Sequence, residues 1–492
     1  MSIALAARPV ARADVRLEPL ERLQALADHG SVRPLRTGAS SRALGDRAVP
    51  GDGVLAATAR VDGREVVCFA QDGAVAGGSL GEAHADTLVR VHELAARGRL
   101  PVVGFVESAG ARMQEGLAAL TGYGRLFREQ VRLSGDVPQI SIVCGPCAGG
   151  GSYSPALTDF VIMAGPRASM FLTGPGVVAS VTGERVDAAT LGGAAVQERN
   201  GVCHLAADGE ADAARLAREL LAHLPQRAGE RPPLRAPAEP VRALTDGAVP
   251  RDPRKVYDVR DVARCIVDRG ELLELSRRWA RNVVCAFGRL EGRPVGVLAN
   301  QPRHLGGVLD ADASQKAARF VRTCNLFGLP LVVLVDTPGF LPGTRQEQAG
   351  VIRHGAKLLH AFAEADVPRV TVLLRKAYGG AFIAMNSAGL GADLVFAWPG
   401  AQIGVMGAEQ AVEILHRRRL AAVGDGSAGR ARARSELASA FAAEHLSPDA
   451  AGAAGAVDEV IAPSATRARL CATLATLDAA RPQRRPAGNL PL

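Results

Sequence analysis

Glycine-rich turns, rather than reactive side chains, are the groups in this chain best placed to do chemistry. Pro101-Val102-Val103-Gly104-Phe105-Val106-Glu107-Ser108-Ala109-Gly110 reads as an apolar strand ending in a small-residue turn. Further on, Ile140-Ser141-Ile142-Val143 leads into Gly149-Gly150, a pair that opens a helix. Glycine lets the backbone approach a ligand closely, and a free helix start presents unpaired N–H donors at the positive end of its dipole. Two such donor sets aimed at one spot make an oxyanion hole, each donor stabilising the transition state by about 3–4 kcal/mol. A single turn of this kind is more often a packing device. This chain has the set twice.

Pro330-Leu331-Val332-Val333-Leu334-Val335-Asp336-Thr337-Pro338-Gly339 repeats the first turn 229 residues on. Val137-Pro138 precedes Gly149-Gly150 as Val367-Pro368 precedes Gly379-Gly380, at an offset of 230. A helical period runs before each strand. In the first half it is Leu88, Val91 and Leu94 or Ala95, stopped near Gly98; in the second it is Ala317, Phe320, Val321, Cys324 and Phe327, stopped by Gly328. Short apolar runs alternating with helices predict parallel sheets covered on both faces. Pro232, Pro233, Pro237, Pro240, Pro250 and Pro253 interrupt a stretch without hydrophobic period. The expectation is an α/β chain of two similar domains, residues 1–230 and 257–492, joined by a Pro/Arg-rich linker at 231–256.

Other chemistries find little support. The 492 residues are 48% hydrophobic and 22% charged, the balance of a globular protein rather than a disordered or disulfide-stapled one. Met1 to Leu17 has too short an apolar run for a secretory signal, and no stretch is long enough for a membrane span. With eight cysteines, this points to reduced thiols in a cytoplasm. Cys144-Gly145-Pro146-Cys147 has redox spacing, but it closes an apolar run and reads as buried strand-end cysteines. The net charge of +8 comes from scattered arginines, with only 4% aromatics, which argues against nucleic acid and suits an anionic small molecule or acidic partner. Gly150-Gly151-Ser152-Tyr153-Ser154 lacks the last glycine of a nucleophile elbow. Asp336-Thr337-Pro338-Gly339 has no phosphate loop to accompany it, and no spacing suggests a metal. His354 reads as solvated or supporting a neighbour sooner than as a base.

At these turns the chain resembles the carboxyltransferase (β) subunits of biotin-dependent acyl-CoA carboxylases, of the acetyl/propionyl-CoA type. The resemblance runs from about Glu21 to Leu492. It is carried by Gly77-Gly78-Ser79-Leu80-Gly81-Glu82, Ser108-Ala109-Gly110-Ala111-Arg112-Met113-Gln114-Glu115-Gly116 and Gly145-Pro146-Cys147-Ala148-Gly149-Gly150 with Tyr153-Ser154-Pro155-Ala156. The second half adds Ala299-Asn300-Gln301-Pro302, Lys316 to Arg322, Pro338-Gly339-Phe340-Leu341-Pro342-Gly343, Arg375-Lys376-Ala377-Tyr378-Gly379-Gly380-Ala381 and Gly488-Asn489-Leu490-Pro491-Leu492. The resemblance implies two tandem crotonase-like domains and a ring-shaped homohexamer, with active sites formed between domains of different protomers. Acyl-CoA is then the substrate on the first domain, and carboxybiotin, carried on a partner subunit, lies along the second. By position, Ala109 and Gly110 supply amides to one hole, and Gly380 and Ala381 to the other. Gly149, Gly150 and Tyr153 line the acyl-CoA pocket, and Ile383 stands where the family sizes the acyl group.

Departures accompany the match. Ala109 replaces a usual glycine, at a cost of about 1 kcal/mol if a left-handed backbone is required. Thr87 stands where a lysine is common, and Ala11-Arg12-Ala13-Asp14-Val15-Arg16 replaces a basic stretch. Ile383 is apolar where propionyl-preferring relatives tend to carry Asp, which suits tolerance of several acyl lengths. None of the four lysines lies in a Met-Lys-Met biotinylation motif, so a separate biotin carboxylase and carrier (α) subunit is expected. A biotin-dependent decarboxylase subunit and a non-catalytic scaffolding paralogue share these features and stay open as alternatives.

Overall fold

The computed structural model describes residues 16–250, 252, 255–422, 427–477 and 489. They form two compact units, one running to Ala228 with Asn489 added, the other from Gly229 to Leu477. The rest of the C-terminal motif at 488–492 and the atypical stretch at 11–15 lie outside the described residues.

In the first unit the strands are β1 (Arg33–Leu35), β2 (Val54–Val61), β3 (Arg64–Gln71), β4 (Val102–Ser108), β5 (Gln139–Ala148), β6 (Phe160–Ala164), β7 (Ser169–Phe171) and β8 (Leu205–Ala207). In the second they are β9 (Leu273–Leu275), β10 (Val283–Leu290), β11 (Arg293–Asn300), β12 (Leu331–Thr337), β13 (Arg369–Tyr378), β14 (Leu394–Ala397), β15 (Gln402–Gly404) and β16 (Glu459–Val460). The sheets run β1-β2-β3-β4-β5-β6-β8 and β9-β10-β11-β12-β13-β14-β16, with β7 on β5 and β15 on β13. Each opens with an antiparallel hairpin and continues parallel. This is one crotonase-like plan, used twice.

The hairpin turns show why the plan repeats. Asp62-Gly63 and Glu291-Gly292 each have positive φ at both central residues, the geometry that matches strand twist. A carboxylate clasps the two turn amides in each case: Asp28 at 3.0 and 2.8 Å, Asp268 at 3.0 and 2.7 Å. The crossover helices Glu82–Gly98 and Ala311–Leu326 bury the expected stripes, Leu88, Val91 and Ala95 in one and Ala317, Phe320, Val321 and Cys324 in the other. The first of these helices ends at Gly98, as expected, and its cap is Arg99, which takes the left-handed conformation while its guanidinium reaches Asp136 at 2.7 Å. The central strands are buried on both faces, which is why they read as continuous apolar runs.

The Pro/Arg-rich stretch after Gly229 is not a free linker. It packs along the second unit, burying Leu244 and Val249. Its carbonyls accept from core arginines: Pro233 O from Arg289 at 2.9 Å and Ala238 O from Arg467 at 2.8 Å. Proline removes donors but leaves acceptors, and the arginines satisfy them.

Candidate active site

In the first unit β4 and β5 lose register at one point. Val106 faces Val143, but Ser108 faces Cys147, so Glu107 alone opposes Cys144-Gly145-Pro146. A bulge of this kind bends the strand and re-aims the residues beyond it. The chain then runs through Ser108-Ala109-Gly110-Ala111, and Leu80 pairs with Ala111 in an isolated parallel bridge. Through that bridge Leu80 N–H donates to Gly110 O and Arg112 N–H to Leu80 O, both at 2.9 Å. The Ala111 amide, pointing the other way, meets no acceptor among the described residues. Beside it Gly149 (φ 54°) caps the helix Gly150–Ala156, whose first amides, Gly150 and Gly151, are also unpaired among the described residues. The two donor sets touch. A β-carbon on Gly151 would stand 2.9 Å from Ser108 O, and one on Gly110 3.1 Å from Ala148 O.

This corrects one expectation. Ala109 is not a donor to the site, because its N–H is bonded to Gly77 O at 2.9 Å. Its φ is not positive, so the extra β-carbon carries no left-handed strain. Gly110 (φ 99°) leans its amide on Ser108 Oγ at 3.3 Å. The available amide is the next one along, Ala111.

The second unit repeats the arrangement. Val335 faces Leu373 and Thr337 faces Ala377, leaving Asp336 opposite Leu374-Arg375-Lys376. Leu309 bridges Phe340 as Leu80 bridges Ala111. The Phe340 amide is without an acceptor among the described residues, as are Gly380 and Ala381 in the helix Gly379–Ala384. Phe340 and Gly380 adjoin, with the ring 3.8 Å from where a β-carbon on Gly380 would be. The residue matching Ala109 here is Pro338, which has no N–H at all. Sequence reasoning passed over that signal, and with it Ala111, Gly151 and Phe340.

Unpaired amides on adjoining turns are groups able to hold a developing negative charge on a ligand oxygen. Supporting groups sit behind them. Tyr123, buried under the first set, exchanges a hydrogen bond with Ser108 Oγ at 3.1 Å, and burial pushes its hydroxyl up to about 12. Tyr153 and Ile383, each about half exposed at 52% and 49%, stand on the two short helices beside the amides and are open to a ligand. His354 is buried, with Nδ1 unpaired among the described residues and Nε2 3.2 Å from Arg353; burial and the nearby Lys357 and Arg353 push its pKa down. Cys144 and Cys147 are buried free thiols, the first in the β5 bulge and the second just past it, the latter pushed up to about 12 by burial. Thr87 is buried and accepts from Arg36 Nε at 3.1 Å. A cavity of about 460 Å³ lies at the opposite end of the second sheet, by Pro294, Pro330 and Pro368, where the strands begin rather than where the Phe340 and Gly380 amides lie.

Comparison with known proteins sets this geometry in context. The carboxyl transferase domain family matches residues 12–489. A putative propionyl-CoA carboxylase beta chain of Bacillus subtilis is 44% identical over 97% of this chain and 94% of its own length. The methylmalonyl-CoA carboxyltransferase 12S subunit of Propionibacterium freudenreichii is 48% identical over 90% of this chain and 84% of its own. The crystal structure of a transcarboxylase 12S hexamer, with methylmalonyl-CoA bound, superposes with a TM-score of 0.89 at 46% identity, covering 95% of this chain and 90% of that one.

Proposed function

The chain belongs to the carboxyl transferase family, and on that premise we propose that it is the carboxyltransferase component of a biotin-dependent acyl-CoA carboxylase. The observation that carries the reading is the duplicated set of unpaired amides, Ala111 with Gly150 and Gly151, and Phe340 with Gly380 and Ala381. Carboxyl transfer generates negative charge on two oxygens, the thioester oxygen of the acyl-CoA enolate and the ureido oxygen of biotin, and two holes answer that need. We assign the first unit to the acyl-CoA and the second to biotin. The resemblance carries that assignment, and the Gly380 helix start, with its unpaired amides, suits the negative charge that develops on a ureido oxygen.

When bound, carboxybiotin from a partner subunit would supply the carboxyl group as CO2, and the biotin left behind would serve as base for the α-proton. The Ala111, Gly150 and Gly151 amides hold the thioester oxygen and lower the cost of making the α-carbon nucleophilic. Phe340, Gly380 and Ala381 hold the ureido oxygen, favouring departure of the carboxyl group. Tyr123 fixes Ser108, and so the first loop, with a hydroxyl that burial keeps protonated. A partner carrying biotin carboxylase and carrier functions completes the enzyme, and the hexamer of the transcarboxylase 12S relative is the assembly we assign to this chain. Free buried thiols suit a reducing cytoplasm; among the described residues no helix is long and apolar enough to cross a membrane.

The test pairs the purified chain with a carboxylated biotin carrier and offers acetyl-, propionyl- and butyryl-CoA. Transfer of label to at least one acyl-CoA is expected. A chain that assembles but transfers to none is a scaffold, and one that acts only on carboxylated acyl-CoA is a decarboxylase. Ile383→Asp should shift the ratio of kcat/KM values between acyl-CoAs about tenfold with folding unchanged; unaltered selectivity removes Ile383 from the acyl pocket.

A further inference from the structure

Glu107 and Asp336 occupy the same place 229 residues apart, each alone at the bulge where its strand leaves the sheet. Each bulge amide is caught by a side-chain amide oxygen from the preceding strand, Gln71 at 3.0 Å and Asn300 at 3.3 Å. Asp336 is fully buried. Its Oδ2 accepts from Arg375 Nε at 3.1 Å and lies 3.0 Å from Nη2, and its Oδ1 accepts the Lys376 N–H at 3.2 Å. Arg375 in turn donates to the carbonyls of Pro250, Asp252 and Lys255 at 3.3, 3.1 and 2.8 Å and lies over the Tyr257 ring at 5.2 Å. Asn300 Nδ2 continues the chain of bonds to Gly307 O at 3.1 Å. Asp336 thus ties together the exits of three strands, its backbone N–H bonding to Asn300 on β11 and its carboxylate to Arg375 and Lys376 on β13.

We propose that Asp336, clamped by Arg375, is a positioning residue for the biotin-side hole, fixing the bulge that turns the Phe340 amide and the Gly380–Ala381 helix start toward one ligand oxygen. The inference rests on the carboxyltransferase reading and extends it to residues that touch no substrate. Packing alone is a weak reason to keep this pair, since a buried ion pair is often no more stabilising than apolar residues of its size. Its counterpart gives a better one. Gly145 stands where Arg375 does, 230 residues earlier, yet Glu107 still has a buried arginine, Arg22, at 3.1 Å from another element. The carboxylate keeps its position while its cation changes source, so the demand is for a braced bulge.

The experiment uses the full chain with its biotin-bearing partner and compares Asp336→Asn with the double variant Asp336→Asn/Arg375→Gln, which removes both charges of the clamp. Both should lower kcat by about 10²-fold, the scale of an ångström-size misplacement, with KM for acyl-CoA within about twofold of the unaltered chain. The double variant should melt close to the unaltered chain. Either variant turning over at the unaltered rate overturns the inference. So does loss of folding in both, because the pair is then a packing element. An unaltered chain that carboxylates no acyl-CoA counts against the carboxyltransferase reading instead, before any variant is compared.

Discussion

In the first unit the loop bearing Ala111 is held by charge. Arg112, fully buried, donates Nη1 to both oxygens of Asp52 at 2.8 and 3.0 Å and to Glu115 at 2.9 Å, and Nη2 to Ser79 O at 2.9 Å. In the second unit the matching position is Leu341, fixed by its backbone bond to Leu309 O at 2.7 Å. The bulge carboxylates differ in the same way: Glu107 draws on Arg22, from the helix Pro19–Leu26 far away in sequence, whereas Asp336 draws on Arg375 from the adjacent strand. The first unit also carries a link through a histidine. Asp52 O faces His84 Nδ1, His84 Nε2 faces the Gln71 side-chain nitrogen, and Gln71 Oε1 accepts the Glu107 amide. These contacts require a neutral imidazole, and burial, then the Arg112 charge, push its pKa down to about 4. The position matching His84 is Ala313. Duplication preserved the backbone that aims the amides and let the supporting side chains diverge.

Six substitutions break or sharpen that contrast. Arg375→Met leaves the fully buried Asp336 with only the Lys376 cation, at 4.0 Å, among the described residues and should lower stability by about 3–5 kcal/mol, more than Arg22→Met, which leaves Glu107 to Arg16 at 3.5 Å and Glu210 to Arg167 at 3.0 Å; urea unfolding of both reads the difference. Gly151→Ala drives a β-carbon to 2.9 Å from Ser108 O and should cut kcat about 10²-fold. The reciprocal Ala381→Gly, at the matching place in the second unit, should change it only about twofold in the same assay. His84→Gln bears on acid stability. A histidine whose folded pKa of about 4 lies below its unfolded 6.5 contributes stability that is complete above pH 6.5 and lost as pH falls through 4. Removing it should flatten the slope of Tm against pH in that window; an unchanged slope places the acid sensitivity elsewhere. Smallest of all, Ala109→Gly should cost at most about 1 kcal/mol and leave kcat unaltered, since the Ala109 amide is already bonded to Gly77; a gain in rate would return Ala109 to the site.

Much of the fold was legible. The repeated strand-and-turn segments at matched offsets marked the duplication, because strands covered on both faces must be apolar throughout and turns with positive φ favour glycine. The Gly379-Gly380-Ala381 helix start was readable for the same reason. Less legible was the stretch at 231–256, whose prolines imitate a flexible linker while its carbonyls are tied down by arginines distant in sequence. Gly98 marked the end of its helix correctly, but that Arg99 would take the left-handed cap with its side chain on Asp136 was not readable locally.

Sequence by itself determined the parallel sheets, the pair of glycine-opened helices and the positions at which the backbone could come close to a ligand, all of which arise from local sterics and burial. Tertiary structure decided which amides remain available there. An N–H is free or engaged according to the carbonyl that folding brings beside it: Gly77 O takes the amide of Ala109, thirty-two residues on, and leaves that of Ala111 open.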